Sequence, residues 1–273
     1  TLGTVILAGD IVLPGWLCRG GEWEGPVTDH FDGKFFYNPE PGTLYKTSSL
    51  LQWLQERHAK GEYPTVAQNT HQPQLAPRVD GQDWEVTMVN HSTLLIRTAG
   101  LNILTDPIWS DYTSPVQGLG PRRHRPAGIS WEKLPRIDVC LLSHDHYDHF
   151  DAPTLKRLAA EHNPLFIVPL GLAGLLQYHC GEDVRFIEAD WWESVQHGDL
   201  CITLTPAKHW SNRYRKTYTR NRSLWCGFYL KSAGGPSIYF VGDSARSNCF
   251  AQIHARLGAP DVALIPIGAY KPD

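Results

Sequence analysis

Nowhere in its 273 residues does the chain hold an apolar run that is both long enough to cross a bilayer and free of interruption. The richest stretch, Leu2 to Leu17, is broken by Asp10 and Pro14. It reads either as the remnant of a removed signal or anchor or as a buried N-terminal segment, and Thr1 marks the chain as trimmed. Localisation therefore stays open between a soluble protein and one held peripherally at a membrane. Six cysteines, at 18, 140, 180, 201, 226 and 249, form no C-x-x-C pair. Cys140, Cys201 and Cys226 stand in apolar runs, so buried free thiols are expected and nothing demands an oxidising compartment. Neither charge dominates. A net charge of -3, with no long basic arm and no stacking platform, argues against a nucleic-acid partner. No internal repeat is evident. A hydrophobic content of 42% nevertheless suffices for a real core.

Residues 19 to 45 are rich in Gly, Pro and aromatics without a period and read as an irregular wrap. Asp29, His30 and Asp32 there suit turns better than ligation. Ser49-Leu-Leu-Gln52 fits a capping box that opens a helix ended by Gly61, and Tyr63 to Asp83 reads as a linker. The expected division is an N-terminal extension, 1–83, and a catalytic domain, 84–273. In the second part, Trp84–Val89, Ser92–Arg97 and Leu101–Thr105 are β-prone, with Ala99-Gly100 as a turn. Asp138–Leu142, Leu165–Pro169, Val184–Ile187 and Ser237–Val241 are further strands. A hairpin is expected about His197-Gly198-Asp199. Helices are expected from Asp151, capped by its side chain, to Asn163, and from Gly171 to His179. A β-rich start followed by β-α-β-α units implies an α/β fold of mixed sheets with helices outside. The pair Trp191-Trp192 suits core packing.

The densest chemistry lies in Ser143-His144-Asp145-His146-Tyr147-Asp148-His149, directly after the apolar run Asp138–Leu142. Imidazole nitrogens and carboxylate oxygens are what a borderline divalent ion such as zinc takes. His144 and His146, two apart in an extended segment, project to one side and can share an ion. A turn would bring Asp148 and His149 to a second. Two later residues carry a ligand type at a strand exit: His209, after Ile202–Thr205, and Asp243, after Ser237–Val241. Two ions about 3.5–4 Å apart activate a shared water and clamp a developing oxyanion. Asp148 is then the group to orient that water or take its proton, and His91 and Asp106 are expected to hold ligands in their rotamers. Between Asn212 and Ser223 stand Arg213, Arg215, Lys216, Arg220 and Arg222 without an acid. This is either a solvated loop or a surface for an anionic substrate or membrane, since guanidinium matches phosphate. Arg213, Arg215 and Lys216 are the expected contacts, with Arg122, Arg123 and Arg125 contributing likewise.

The H-x-H-x-D-H string resembles the signature of the metallo-β-lactamase superfamily. Further segments resemble its N-acyl-phosphatidylethanolamine phospholipase D-like branch: Asp29–Pro39, Leu104–Pro107, Gly120–Pro126, Thr205–Trp210, Ser223–Trp225, Val241–Asp243 and Ala263–Tyr270. The resemblance implies a four-layer αββα sandwich with the site at one edge. It implies a first metal on His144, His146 and His209, a second on Asp148 and His149, and Asp243 bridging. It also implies a further histidine on the second metal. The sequence ends at Asp273, shortly after the Ala263–Tyr270 segment, so a continuation carrying that histidine and the last strand and helix is expected. The implied activity is a dinuclear metal-dependent hydrolase, zinc-loaded or with Mn2+ or Fe2+ instead. It would be a phosphodiesterase of the phospholipase D type acting on N-acyl phosphatidylethanolamine-like lipids. The alternatives are a metal-dependent lactone or amide hydrolase of the same fold, or a non-catalytic metal-binding scaffold.

Overall fold

The computed structural model describes residues 19–40, 67–69, 73–75, 78–81, 83–116, 118, 120–213 and 219–268. The helix expected from Ser49 to Gly61 lies outside them. Two sheets form. In the first, β1 (Trp84–Asn90), β2 (Thr93–Thr98) and β3 (Leu101–Thr105) run antiparallel. β4 (Val139–Leu141), β5 (Leu165–Pro169) and β6 (Phe186–Ala189) extend β3 in parallel. In the second, β7 (Ser194–His197), β8 (Leu200–Thr205), β9 (Gly227–Ser232) and β10 (Ser237–Phe240) are antiparallel, and β11 (Val262–Leu264) joins β10 in parallel. The helices are α1 (Ala152–His162), α2 (Ala173–Cys180) and α3 (Cys249–Leu257).

Alternation along the strands decides the layers. Ile103, Val139, Leu141 and Ile167 point one way and pack with Ile202, Leu204, Phe228 and Phe240 of the other sheet. Their neighbours Leu104, Cys140, Leu142, Phe166 and Val168 point the other way, onto Leu155 and Leu158 of α1 and Leu175 and Leu176 of α2. Strands buried on both faces read as unbroken apolar runs, which is why 138–142 and 165–169 were plain in the sequence. On the outer face of the second sheet, Tyr229, Tyr239 and Val241 pack with Ile253 of α3. The result is the αββα order.

Residues 19–40 cross this sandwich as an irregular strap. Phe31 and Phe36 are fully buried in the inter-sheet core, each worth about 1.5–3 kcal/mol of burial. Backbone bonds fasten the strap: Glu22 N donates to Gly171 O, Trp23 N to Arg222 O and Phe36 N to Asn221 O. Asp32 accepts from the Lys34 and Phe35 amides, as a turn residue does. His30 is buried between Asp29 and Asp190 and stacks on Trp191, itself a core residue.

One local expectation is corrected. Asp151 stands at the N-cap of α1, yet its carboxylate makes no capping bond. It accepts instead from the Ser110 amide and hydroxyl and from Thr154 Oγ1, tying the loop after β3 to the helix.

Candidate metal centre

Four strand ends meet at one edge of the sandwich. β4 leads into Ser143–Phe150, β3 into Asp106, β8 through Pro206–Lys208 to His209, and β10 through Val241-Gly242 to Asp243. β8 and β10 both pair antiparallel with β9, so they point the same way and deliver His209 and Asp243 to the same edge. The sheets are pinned there by the Cys226 amide donating to Ser143 O. Gly242 has φ +64, and a Cβ on it would meet Cys226 O at 2.8 Å and Ser143 Cβ at 3.0 Å. Only glycine brings Asp243 this close to the motif.

His144 Nε2 lies 2.9 Å from His146 Nδ1, and His209 Nε2 lies 3.2 Å from both. Three groups have ligand atoms within 4.8 Å of one another: His144, His146 and His209; His144, His149 and Asp243; and His91, Asp148 and His149. They are contiguous, because the first two share His144 and the last two share His149. All the ligand atoms are imidazole nitrogen or carboxylate oxygen, which fits borderline divalent ions and not a soft thiolate-selective one.

The surroundings fix which nitrogen faces inward. Ser143 donates to Asp106 twice, from its amide at 2.7 Å and its hydroxyl at 2.6 Å. The hydroxyl oxygen is left to accept from His144 Nδ1 at 2.8 Å, so the neutral ring carries its proton there and turns the Nε2 lone pair to the cluster. His149 Nδ1 donates to Asp106 Oδ2 at 2.7 Å. Its Nε2 is buried without a hydrogen-bond partner, 3.4 Å from Asp243 Oδ2. A buried polar atom in that condition calls for an explanation, and an ion supplies one.

The electrostatics divide the histidines. Burial, then the charges of the neighbouring imidazoles, holds His144 well below the ordinary value. Burial, then His209, lowers His146 to about 3, and burial lowers His209 to about 4 despite Asp243. These rings are neutral ligands-in-waiting. For His149 burial works the same way but is outweighed by the Asp106 charge, the hydrogen bond to Asp106 and the nearby Asp243 charge, so its value is raised. Burial would raise both acids, yet the hydrogen bond from His91 and the charge of His149 hold Asp148 well below the carboxylate range, and His149 brings Asp243 to about 2.

The family follows from comparison with known proteins. A family model described as Beta-lactamase superfamily domain matches residues 101–273. The chain belongs to the beta-lactamase superfamily. Among its relatives, an uncharacterized protein of Mycobacterium tuberculosis is 35% identical over 243 residues, covering 86% of this chain and 63% of that one. The N-acyl-phosphatidylethanolamine-hydrolyzing phospholipase D 1 of Caenorhabditis elegans is 36% identical over 195 residues, covering 68% of this chain and 54% of that one. The chain thus spans less than two thirds of the length of either. Its likeness to such phospholipases places it in their branch. A solved structure, described as a possible metal-dependent hydrolase from Veillonella parvula, shares the fold with a TM-score of 0.51 at 17% identity, over 67% of this chain and 71% of that one. The chain has the metallo-β-lactamase fold, and one relative in Anaeromyxobacter, 32% identical over 192 residues and covering 68% of this chain and 65% of that one, is described as a metal-dependent hydrolase.

Against this superfamily site the expected residues fall unevenly. His144, His146, His209, Asp148, His149 and Asp243 come together as three ligand groups. Asp106 is in contact with His149. His91 is half exposed; it occupies the β1–β2 turn at φ +45 with Nε2 3.3 Å from Asp148 Oδ2. Arg213 is not presented to a substrate. It is buried, donates to Asp145 O at 2.8 Å and Phe150 O at 3.0 Å, and lies over the Tyr147 ring. The buried motif loop needs a donor for those carbonyls, and Arg213 supplies it. Arg215 and Lys216 lie outside the described residues. Arg123 is turned inward too, onto Ser110 O. Two contributors went unread in the sequence. Asp145 is buried, which raises it to about 6, and it accepts from the Asn212 amide. The Trp210 ring lies 4.3 Å from that of His146. Only the adjacency of Trp210 to His209 could have signalled it.

Asp106 is the common support of Ser143, His144 and His149. Asp106→Asn keeps the volume but offers one acceptor oxygen where two were used. Metal affinity is expected to fall about 10–100-fold with the fold retained, as read by competition with a chelator and by near-UV circular dichroism. Unchanged affinity would show that Asp106 merely packs.

Proposed function

We propose that this chain is the catalytic part of a dinuclear zinc phosphodiesterase of the phospholipase D type, acting on N-acyl phosphatidylethanolamine-like lipids. In this reading His144, His146 and His209 would hold one ion and Asp148 and His149 the other, with Asp243, grouped with one histidine of each set, available to both. The observation that carries it is the contiguity of the ligand groups through His144 and His149, together with the relation to a worm phospholipase D. Bound ions would acidify a water and neutralise charge on a phosphoryl oxygen. The chain's own residues do the rest. Asp148, ionised and nearly half exposed, orients the attacking water or takes its proton, and His91 holds that carboxylate in place. The ring of His149 is fixed by Asp106.

The test is hydrolysis of N-acyl phosphatidylethanolamine in mixed vesicles by metal-reconstituted protein. Cleavage of the distal phosphoester bond by water gives phosphatidic acid and N-acylethanolamine, both resolved by chromatography. Turnover of a neutral lactone or amide with none of the lipid would favour the alternative chemistry, and turnover of neither at full metal occupancy would favour a binding scaffold.

A further inference from the structure

Most arginines around this site already have partners. Arg213 is taken up by the motif loop, Arg222 by Glu22, Arg123 by Ser110 O, and Arg157 by Glu161. Arg220 differs. Among the described residues no carboxylate pairs with it; its guanidinium lies over the Trp210 ring, 5.1 Å from the centroid. Trp210 in turn sets its ring against His146, at 4.3 Å and 67°, and His209 is the residue before it.

The backbone beneath Arg220 is held on both sides. Thr219 Oγ1 donates to Asn212 Oδ1 and accepts from the Arg213 amide. The Asn221 amide donates to Ser211 O, and its side-chain oxygen accepts from the Ser211 amide. Asn221 adopts φ +58, a left-handed conformation that asparagine tolerates. Segment 219–221 is thereby locked onto the segment that follows Trp210, and Arg220 is aimed at that indole.

We infer that Arg220, seated on Trp210, is the specificity-determining residue that receives the anionic phosphoryl oxygen of the substrate at the mouth of the metal centre. This rests on the phosphodiesterase reading above. Stacking leaves all the N–H donors of a guanidinium in its own plane, available to an anion that arrives at its edge. Among the described residues no carboxylate takes up the Arg220 charge, which leaves it for an anion that enters beside the metal centre.

The experiment compares Arg220→Gln and Arg220→Lys with the parent, all at verified metal content. Turnover of bis(4-nitrophenyl) phosphate, an anionic diester, is set against that of 4-nitrophenyl butyrate, a neutral ester. Binding of diphenyl phosphate is measured by calorimetry. For Arg220→Gln the ratio of kcat/KM on the anionic to the neutral substrate is expected to fall about tenfold or more, mostly through KM, with diphenyl phosphate weakened to match. Arg220→Lys should recover part of it, since charge returns without the planar fork. An unchanged ratio with unchanged diphenyl phosphate affinity would overturn the inference, as would equal losses on both substrates. If the parent turns over neither substrate, the phosphodiesterase reading fails by itself, and the calorimetry still decides whether Arg220 binds a phosphate diester.

Discussion

Replacing His144 and His146 together by alanine is expected to strip the protein of most of its bound metal, lowering affinity by more than the roughly 100-fold that loss of a supporting hydrogen bond produces. Both rings belong to the group whose nitrogens converge within 3.2 Å, and His144 also belongs to the group with His149 and Asp243. The double variant therefore damages two ligand sets at once. Metal analysis after dialysis checks it, and unchanged stoichiometry would sink the assignment. The proton linkage gives a second reading. A depressed imidazole value favours the neutral, lone-pair form, so protons compete for His146 and His209 only near about 3 and about 4. Occupancy of that group should survive acidification through the ordinary imidazole range near about 6.5 and fall as pH approaches the lower values. His149 has the opposite sign. Its raised value keeps it protonated near neutrality, so an ion that takes its Nε2 must displace a proton. Calorimetry in buffers of different ionisation enthalpy should detect that release.

The ligand motif was legible because no core and no solvated loop needs three histidines and two acids within six residues. The central strands are legible because burial on both faces forces unbroken apolar runs. What was not legible depends on tertiary placement. The sequence around Arg213 shows a run of positive charge. It does not show that one guanidinium turns inward to serve the carbonyls of Asp145 and Phe150 while another stacks outward on Trp210. β9 went unassigned because it opens on a glycine, which the packing demands: a Cβ on Gly227 would meet Val241 O at 2.8 Å. α3 is preceded by Asn248, a residue type that can signal a helix start, but in the fold Asn248 is itself in the right-handed helical region and makes no side-chain cap. The Asp151 misreading is of the same kind. A side chain fit to cap a helix was claimed by Ser110, far away in sequence.

Asp148→Asn is expected to lower kcat by about 10²–10⁴ while KM changes little. The carboxylate is held ionised against its own burial by the hydrogen bond from His91 and the charges of His149 and His91. It stands 4.0 Å from His149 Nε2 and remains 43% exposed, so it faces both the ligand groups and the open side from which water arrives. An ionised carboxylate only accepts hydrogen bonds, so it can direct a water's lone pair elsewhere and take its proton. Asparagine preserves the shape and one acceptor oxygen but adds donors and removes the charge. Substrate contacts made by other residues persist, which is why KM should hold. A loss confined to the chemical step distinguishes orientation of the nucleophile from simple ligation, provided metal content is measured on the same sample. Near-parental kcat at full occupancy would reduce Asp148 to a passive ligand. A fall in kcat that tracks lost metal would give it no separate role in orienting the water.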